Sequence, residues 1–129
     1  MADVTLKLYK ASQINFVNNL ENGTKIELGN KYSYNVSYAP NRTCKGEFTL
    51  EVFDKKDPEK FGIKIVIVGI FEFKEGLEKE KVHVITFKEL FPYARALVTT
   101  VTSNAGIPPI IVPPIDIESQ SIYRFEKNV

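Results

Sequence analysis

The sequence predicts an α+β fold with two layers, in which a four-stranded antiparallel sheet is followed by a long helix and a short C-terminal helix. The first two thirds of the chain alternate apolar and polar residues at the period of a strand. The last third changes to a helical period, and the connections between strands are short. A chain of 129 residues is expected to form a single domain over positions 1–129.

The first two strands are predicted from alternation at period two. Residues 4–9 alternate and residues 14–17 resume the pattern after Ala11-Ser12-Gln13, which is consistent with a bulge in one long strand. Residues 31–38 place aromatic side chains and a valine on one face of the second strand. The turn residues Ala39-Pro40-Asn41-Arg42 end that strand.

The fourth strand differs from the third because it is apolar on both faces. The third strand, near residues 48–55, alternates and ends at a turn that contains Pro58. The fourth, residues 61–74, has isoleucines on one face and Val66, Val68 and Ile70 on the other. An antiparallel strand normally exposes one face to water, so we expect an oligomer in which helices lie between sheets. Alternation leaves open which face packs within the protomer. The expected interface residues are Ile63, Ile65, Ile67, Val98 and Thr102.

The helical segment is predicted to begin near Glu78 and to end at Asn104-Ala105-Gly106. Pro92 predicts a boundary or kink near residues 90–91, which gives two helices or one bent helix. Residues 98–102 are all β-branched, so only tertiary packing would hold them in a helix. A short final helix, capped by Asp116, is expected over residues 116–125.

Four prolines make residues 107–115 an extended segment that cannot pair inside a sheet. Its apolar side chains have two readings. In one, Ile107, Ile110, Ile111 and Ile115 close the core of the protomer. In the other, part of the segment walls an open apolar groove.

The residues favour a binding protein over an enzyme. The formal charge is only +1, so no strong field attracts nucleic acid or an anionic membrane. His83 and Cys44 are the single histidine and cysteine, and the sequence has no metal-ligand spacing, phosphate loop or nucleophile elbow. We therefore expect no metal and no cofactor. The first residues do not read as a signal peptide and no apolar run is long enough to span a bilayer, so a cytosolic protein is expected.

Three motifs in order resemble the SecB family of protein-export chaperones. They are Val68-Gly69-Ile70-Phe71, then Leu90-Phe91-Pro92-Tyr93-Ala94-Arg95, then the apolar segment that ends in Pro114-Ile115-Asp116. The resemblance spans residues 63–125. It implies a homotetramer, a dimer of dimers with the long helices between the sheets. It also implies a function, which is to hold unfolded polypeptides without ATP before export.

The resemblance also implies where these polypeptides, the clients, would bind. In the family, hydrophobic grooves run between the loop that joins the first two strands and the loop that follows the long helix. These loops correspond to residues 20–28 and 107–115, with two phenylalanines near the floor. The expected client-binding residues are Leu20, Ile26, Leu28, Phe71, Phe73, Ile107, Ile110, Ile111, Val112 and Ile115.

Two departures from the family argue against handover to the SecA motor. Gln13, Val17 and Lys64 stand where the family places acidic residues associated with SecA docking, and the final residues, 126–129, do not form an acidic tail. A second candidate is therefore a binding module dedicated to one partner, such as the antitoxin of a toxin–antitoxin pair. An enzyme that uses His83 is a third.

Overall fold

The computed structural model describes residues 3–115. In chain order the elements are β1 (Val4–Asn18), β2 (Leu28–Ala39), β3 (Thr43–Asp54), β4 (Phe61–Phe73) and α1 (Lys79–Ser103). The strands form one antiparallel sheet in the order β1-β4-β3-β2, and α1 packs on one face of it. The prediction of a two-layer α+β fold is confirmed. The short helix expected over residues 116–125 lies outside the described residues.

The first strand is continuous, as the interrupted alternation indicated. Its register with β4 shifts twice, once between Leu6 and Leu8 and once between Ala11 and Gln13. The second shift lies within the polar interruption of the sequence pattern. By contrast, β2 pairs with β3 without a shift over all twelve of its residues. The two edges of the sheet therefore differ, because β1 is irregular and β2 is regular.

The face of the sheet that contacts α1, called the inner face, holds the core of the protomer. Ile63, Ile65 and Ile67 of β4 lie on this face and pack under the helix with Val98 and Thr102. Each of these side chains is at most 2% exposed in the single chain, so it has no surface left to give to another protomer. The prediction of an oligomer interface at Ile63, Ile65, Ile67, Val98 and Thr102 is therefore wrong, because it chose the face of β4 that the helix of the same chain covers.

The helix runs without a break through Pro92, so the alternative of two helices that meet near residues 90–91 is wrong. The other alternative, a bend in one helix, stays a prediction. The residues that α1 buries recur every three or four positions on both sides of the proline, and Pro92 itself lies on the exposed side. Burial of this continuous stripe outweighs the hydrogen bond that a proline cannot donate. The buried residues are Val82, Thr86, Phe87, Leu90, Ala94, Val98 and Thr102.

A buried polar contact fixes the helix on the sheet near the middle of β2. The hydroxyl of Tyr34 donates a hydrogen bond to the hydroxyl of Thr86, and the Thr86 hydroxyl lies 2.7 Å from the carbonyl of Val82. Gly46 of β3 lies directly beneath the Tyr34 hydroxyl, where any Cβ would clash. Burial raises the pKa of Tyr34 well above its ordinary value, so this phenol stays a hydrogen-bond donor.

The topology brings two irregular segments to the same end of the sheet. The loop of residues 19–27, called the crossover loop, must pass from the edge strand β1 to the opposite edge strand β2 across the ends of β4 and β3. The helix starts beyond the far end of β4 and returns over about 37 Å, which nearly matches the length of the strand. The segment that follows α1 therefore meets the crossover loop near Phe61, the first residue of β4.

Candidate functional site

A cavity of about 580 Å³ lies between the crossover loop and the segment of residues 107–115, called the proline segment. Its volume falls within the usual range for ligand sites, roughly 300–1,000 Å³. Most of its lining is apolar, and Glu21 is the charged residue of the set. The lining consists of Asn18, Leu20, Glu21, Asn22, Gly23, Thr24, Ile26, Leu28, Phe61, Ile107, Pro108, Pro109, Ile110 and Ile111.

The crossover loop is fastened to the sheet at both of its ends. The amide of Asn19 donates to the carbonyl of Lys60 at 2.7 Å. At the other end, the amide of Lys55 donates to the carbonyl of Glu27 at 2.9 Å, and the buried carboxylate of Asp54 accepts from the amide of Glu27 at 3.4 Å. These bonds hold one wall of the cavity beside the β3–β4 turn.

The proline segment forms the opposite wall and is held by the last turns of α1. The hydroxyl of Thr99 donates to the carbonyl of Ile110 at 2.8 Å, and the amide of Ile110 donates to the hydroxyl of Thr102 at 2.9 Å. Along this segment burial changes from one residue to the next. Ile110 is half-buried, Ile111 is 69% exposed and Val112 is buried. Part of the segment therefore closes the core and part of it faces the cavity. The reading in which all four isoleucines close the core is wrong for Ile111, which is exposed, and Val112 is buried instead.

Six of the ten residues expected to bind clients line this cavity, and the other four do not. The six are Leu20, Ile26, Leu28, Ile107, Ile110 and Ile111. Val112 belongs to the buried core and Ile115 packs against that core. Phe71 and Phe73 lie at the far end of β4, about 33 Å and about 40 Å from Phe61 along the strand, and Phe71 is fully buried. The placement of these two phenylalanines at the floor is therefore wrong.

The floor is formed instead by Phe61, which is not among the residues predicted to bind clients. Asn18 and Phe61 are paired in the register of β1 with β4. That register brings the start of β4 beside the end of β1, where the crossover loop begins. The signal that would have identified Phe61 is therefore the order of the strands, and a single sequence does not state that order.

The positions aligned with SecA docking lie on the opposite, outer face of the sheet. In the register of β1 with β4, Gln13 is opposite Val66, Val17 is opposite Gly62 and Lys64 is opposite Asn15. Val17 and Lys64 line a second cavity of about 380 Å³, where Glu51 is paired with Lys31 at 3.2 Å and with Lys64 at 3.8 Å. This cavity is separate from the one between the two loops.

Cys44 and His83, the two side chains considered for catalysis, both pack against other residues of the fold. Cys44 is buried in the core, and burial raises the pKa of its thiol to about 11, which disfavours the reactive thiolate near neutral pH. His83 is half-buried on α1, with its ring edge-on to Tyr34 at 5.1 Å. Among residues 3–115, no three histidine, cysteine or carboxylate side chains are grouped as metal ligands. No helix in that range has the length and apolar character of a membrane span.

A family model described as preprotein translocase subunit SecB matches residues 33–128, which is more than half of the chain. The chain belongs to the SecB family. An uncharacterised protein of Methanocaldococcus jannaschii is 32% identical over 118 residues, 84% of this chain and 76% of that protein. The protein-export protein SecB of Agrobacterium fabrum is 34% identical over 77 residues, 55% of this chain. The match spans about half the length of that SecB, 48%.

Solved structures share the SecB-like fold at low sequence identity. A SecB-like chaperone of Mycobacterium tuberculosis, in complex with a peptide from the HigA1 antitoxin, superposes with a TM-score of 0.70 over 88% of this chain and 91% of that one. A protein of unknown function from Streptococcus agalactiae gives a TM-score of 0.54 over 86% of this chain and 97% of that one. The identities are 12% and 18%, so these similarities establish the fold alone.

Proposed function

We propose that this SecB-family chain is an ATP-independent holdase chaperone that binds unfolded polypeptides in the cavity between the crossover loop and the proline segment. The observation that carries the proposal is the apolar surface gathered there. Ile26 and Leu28 are about two-fifths exposed and Ile111 is 69% exposed, all around one cavity. Burial of such surface against a client contributes about 25 cal/mol per Å². Proteins that bind no partner rarely expose several large apolar side chains around one cavity.

The chemistry of the cavity suits clients of many different sequences. Apolar burial is non-directional, so it does not require one particular order of side chains. Pro108 and Pro109 form part of the wall and have no amide hydrogen to offer. The wall is therefore a poor template for strand pairing and aggregation with an extended client. Both features favour transient holding over tight recognition of a single sequence.

The direct test is suppression of aggregation. A reduced, denatured test protein is diluted into buffer without nucleotide, and light scattering is recorded with increasing amounts of the chain. We expect scattering to be suppressed at a near-stoichiometric ratio, and addition of ATP to change nothing. Undiminished aggregation in the presence of folded chain would refute the holdase function.

A second candidate is a chaperone dedicated to one partner, such as an antitoxin. It is supported by the Mycobacterium tuberculosis neighbour, which holds an antitoxin peptide in its solved complex. Competition separates the two candidates. If several unrelated unfolded peptides displace one another from the cavity, the general holdase is supported. If only one cognate sequence binds, the dedicated role is supported.

We propose that clients are not handed to SecA through the outer face of the sheet. Gln13, Val17 and Lys64 lie there, and none supplies a negative charge. The nearby carboxylate of Glu51 is already paired with two lysines. The expected result of a binding titration with SecA is no measurable complex at micromolar concentration, and saturable binding that depends on Lys64 would contradict the proposal.

For the oligomer, we propose assembly through β1 and the adjacent surface of α1, as a dimer of dimers. Tyr9 and Ile14 are 46% and 50% exposed on the helix side of this edge strand, and the Tyr9 ring stacks on Tyr93 of α1 at 4.0 Å. An edge strand with exposed apolar side chains is a ready site for association. Light scattering should give the mass of a tetramer, which Ile14→Lys lowers and Ile111→Lys leaves unchanged. A monomeric mass for the wild-type chain would refute this assembly.

A further inference from the structure

The backbone of Ile110 has both of its hydrogen-bonding groups bound by threonine hydroxyls of α1. The Thr99 hydroxyl donates to the Ile110 carbonyl at 2.8 Å, and the Ile110 amide donates to the Thr102 hydroxyl at 2.9 Å. The Thr102 hydroxyl is itself within 2.8 Å of the carbonyl of Val98, so it accepts one bond and donates another. Thr102 is fully buried and Thr99 is half-buried.

These bonds compensate for the backbone hydrogen bonds that the prolines of the segment cannot donate. Pro108, Pro109, Pro113 and Pro114 have no amide hydrogen, so the segment cannot be held by a ladder of strand hydrogen bonds. Ile110 is the first residue after Pro108-Pro109 that has an amide hydrogen to donate. A threonine hydroxyl in a helix commonly donates to the carbonyl four residues earlier, and here the pair also reaches across to another segment.

Threonine is a poor helix former, so the threonines at the end of α1 are not explained by helix propensity. Thr99 and Thr102 are three residues apart and therefore lie on the same side of the helix. Valine has the same shape and a similar helix propensity but cannot make these bonds. The hydroxyls, not the β-branched shape, connect α1 to the wall of the cavity.

We propose that Thr99 and Thr102 are positioning residues of the client site, because they hold the proline segment in the position that forms the wall. When the backbone of Ile110 is held, the side chains of Ile110 and Ile111 lie at the cavity and that of Val112 is buried in the core. A wall that is already in place loses less conformational freedom when a client binds. The inference rests on the proposed function, since it assigns a role within the same cavity.

The expected effect is a weaker site in a chain that is still folded. If one bond is lost, the wall occupies its binding position for a smaller fraction of the time, and the apparent Kd rises in proportion. The net value of a typical hydrogen bond corresponds to a change of about fivefold. Thr99→Val should therefore raise the Kd for a fluorescently labelled, unfolded apolar peptide by about fivefold. Thr99→Ser, which keeps the hydroxyl, should restore the wild-type value.

The matched control is Thr100→Val, the same change at an exposed position of the same helix. Thr102→Val supplies a second readout, amide hydrogen exchange at Ile110, which should become at least about tenfold faster as its acceptor is lost. If Thr102→Val lowers the stability of the whole chain, Thr99→Val at its half-buried position still tests the role. Circular dichroism verifies that the helix is intact in each variant.

Peptide affinity and amide exchange together decide the role of the two threonines. Weaker peptide binding in Thr99→Val, with rescue by serine and no change in Thr100→Val, supports the positioning role. Unchanged affinity in Thr99→Val overturns it, and so does unchanged exchange at Ile110 in Thr102→Val. If the wild-type chain binds no unfolded peptide, the proposed function itself fails. In that case, faster exchange at Ile110 in Thr102→Val would show that the threonines hold the proline segment in place but have no role in client binding.

Discussion

Replacement of Ile111 by serine should weaken client binding without weakening the fold. Ile111 lines the cavity from the proline segment and is 69% exposed, so the folded chain gains little from it. Full burial of an isoleucine contributes roughly 1.5–3 kcal/mol. About two thirds of that surface is still available to a client, which corresponds to about 1–2 kcal/mol of binding free energy.

Each factor of ten in Kd corresponds to about 1.4 kcal/mol, so this range predicts a Kd about five- to thirtyfold higher than that of the wild-type chain. The assay is fluorescence anisotropy with a labelled unfolded peptide, with the free energy of unfolding measured in urea on the same samples. The free energy of unfolding should change by no more than about 0.5 kcal/mol, as is usual for substitutions at exposed positions.

Leu8→Ser is the matched control, because Leu8 is also an aliphatic residue, is 59% exposed and lies on the outer face of the sheet. It should leave the peptide Kd unchanged. The mass of each variant is verified by light scattering so that a change in assembly is not taken for a change in the site. Equal weakening by both substitutions would show that clients bind exposed apolar surface in general, and would refute the assignment of the cavity.

Other consequences concern the core and its ionisation. Gly69→Ala should destabilise the chain by about 1–3 kcal/mol, because its Cβ would lie 2.7 Å from Leu90 Cδ2; Gly62→Ala on the same strand, where the nearest atoms are 3.5 Å away, should be tolerated in the same urea titration. Ile65→Asp should unfold the protomer, as seen by circular dichroism, and not merely dissociate an oligomer, because Ile65 is fully buried in the single chain. The Cys44 thiol has its pKa raised by burial from 9.0 to about 11, so the free energy of unfolding should fall by up to about 2–3 kcal/mol between those pH values, and Cys44→Ala should reduce that fall.

The elements themselves were predictable because each has a local cause. Alternation of apolar and polar residues predicts the first three strands, and a run that is apolar on both faces predicts the fourth. The polar interruption Ala11-Ser12-Gln13 marks the bulge that the register with β4 confirms. The start of α1 followed from the change to a helical period near Glu78. The fold class then followed from the order of strands before helix.

The assignments that failed depend on long-range pairing. Alternation shows that β4 is apolar on both faces but does not say which face α1 covers, and the wrong choice placed Ile65 and its neighbours at an interface. The prediction of Phe71 at the groove fails because the strand order puts the start of β4 at the cavity and Phe71 at the far end. Pro92 is tolerated within α1 because the buried stripe continues past it, which is a tertiary effect.

The contacts that complete the site are also tertiary. A run of threonines near the end of α1 reads in sequence as weak helix propensity. Only the return of the proline segment shows that two of their hydroxyls hold the backbone of Ile110. Likewise, Asp54 reads as a residue at the end of a strand, and the structure shows it holding the crossover loop.

The most direct test of the client site is the methyl NMR spectrum of the isoleucines, recorded while an unfolded polypeptide is added. The chain carries isoleucines both in the cavity and in the core, so each spectrum contains its own control. We expect the signals of the isoleucines in the cavity to shift and those of the isoleucines in the core to stay unchanged. The cavity set is Ile26, Ile107, Ile110 and Ile111, and the core set is Ile63, Ile65 and Ile67. Saturable client binding that leaves the signals of the cavity set unshifted would show that clients do not bind in this cavity.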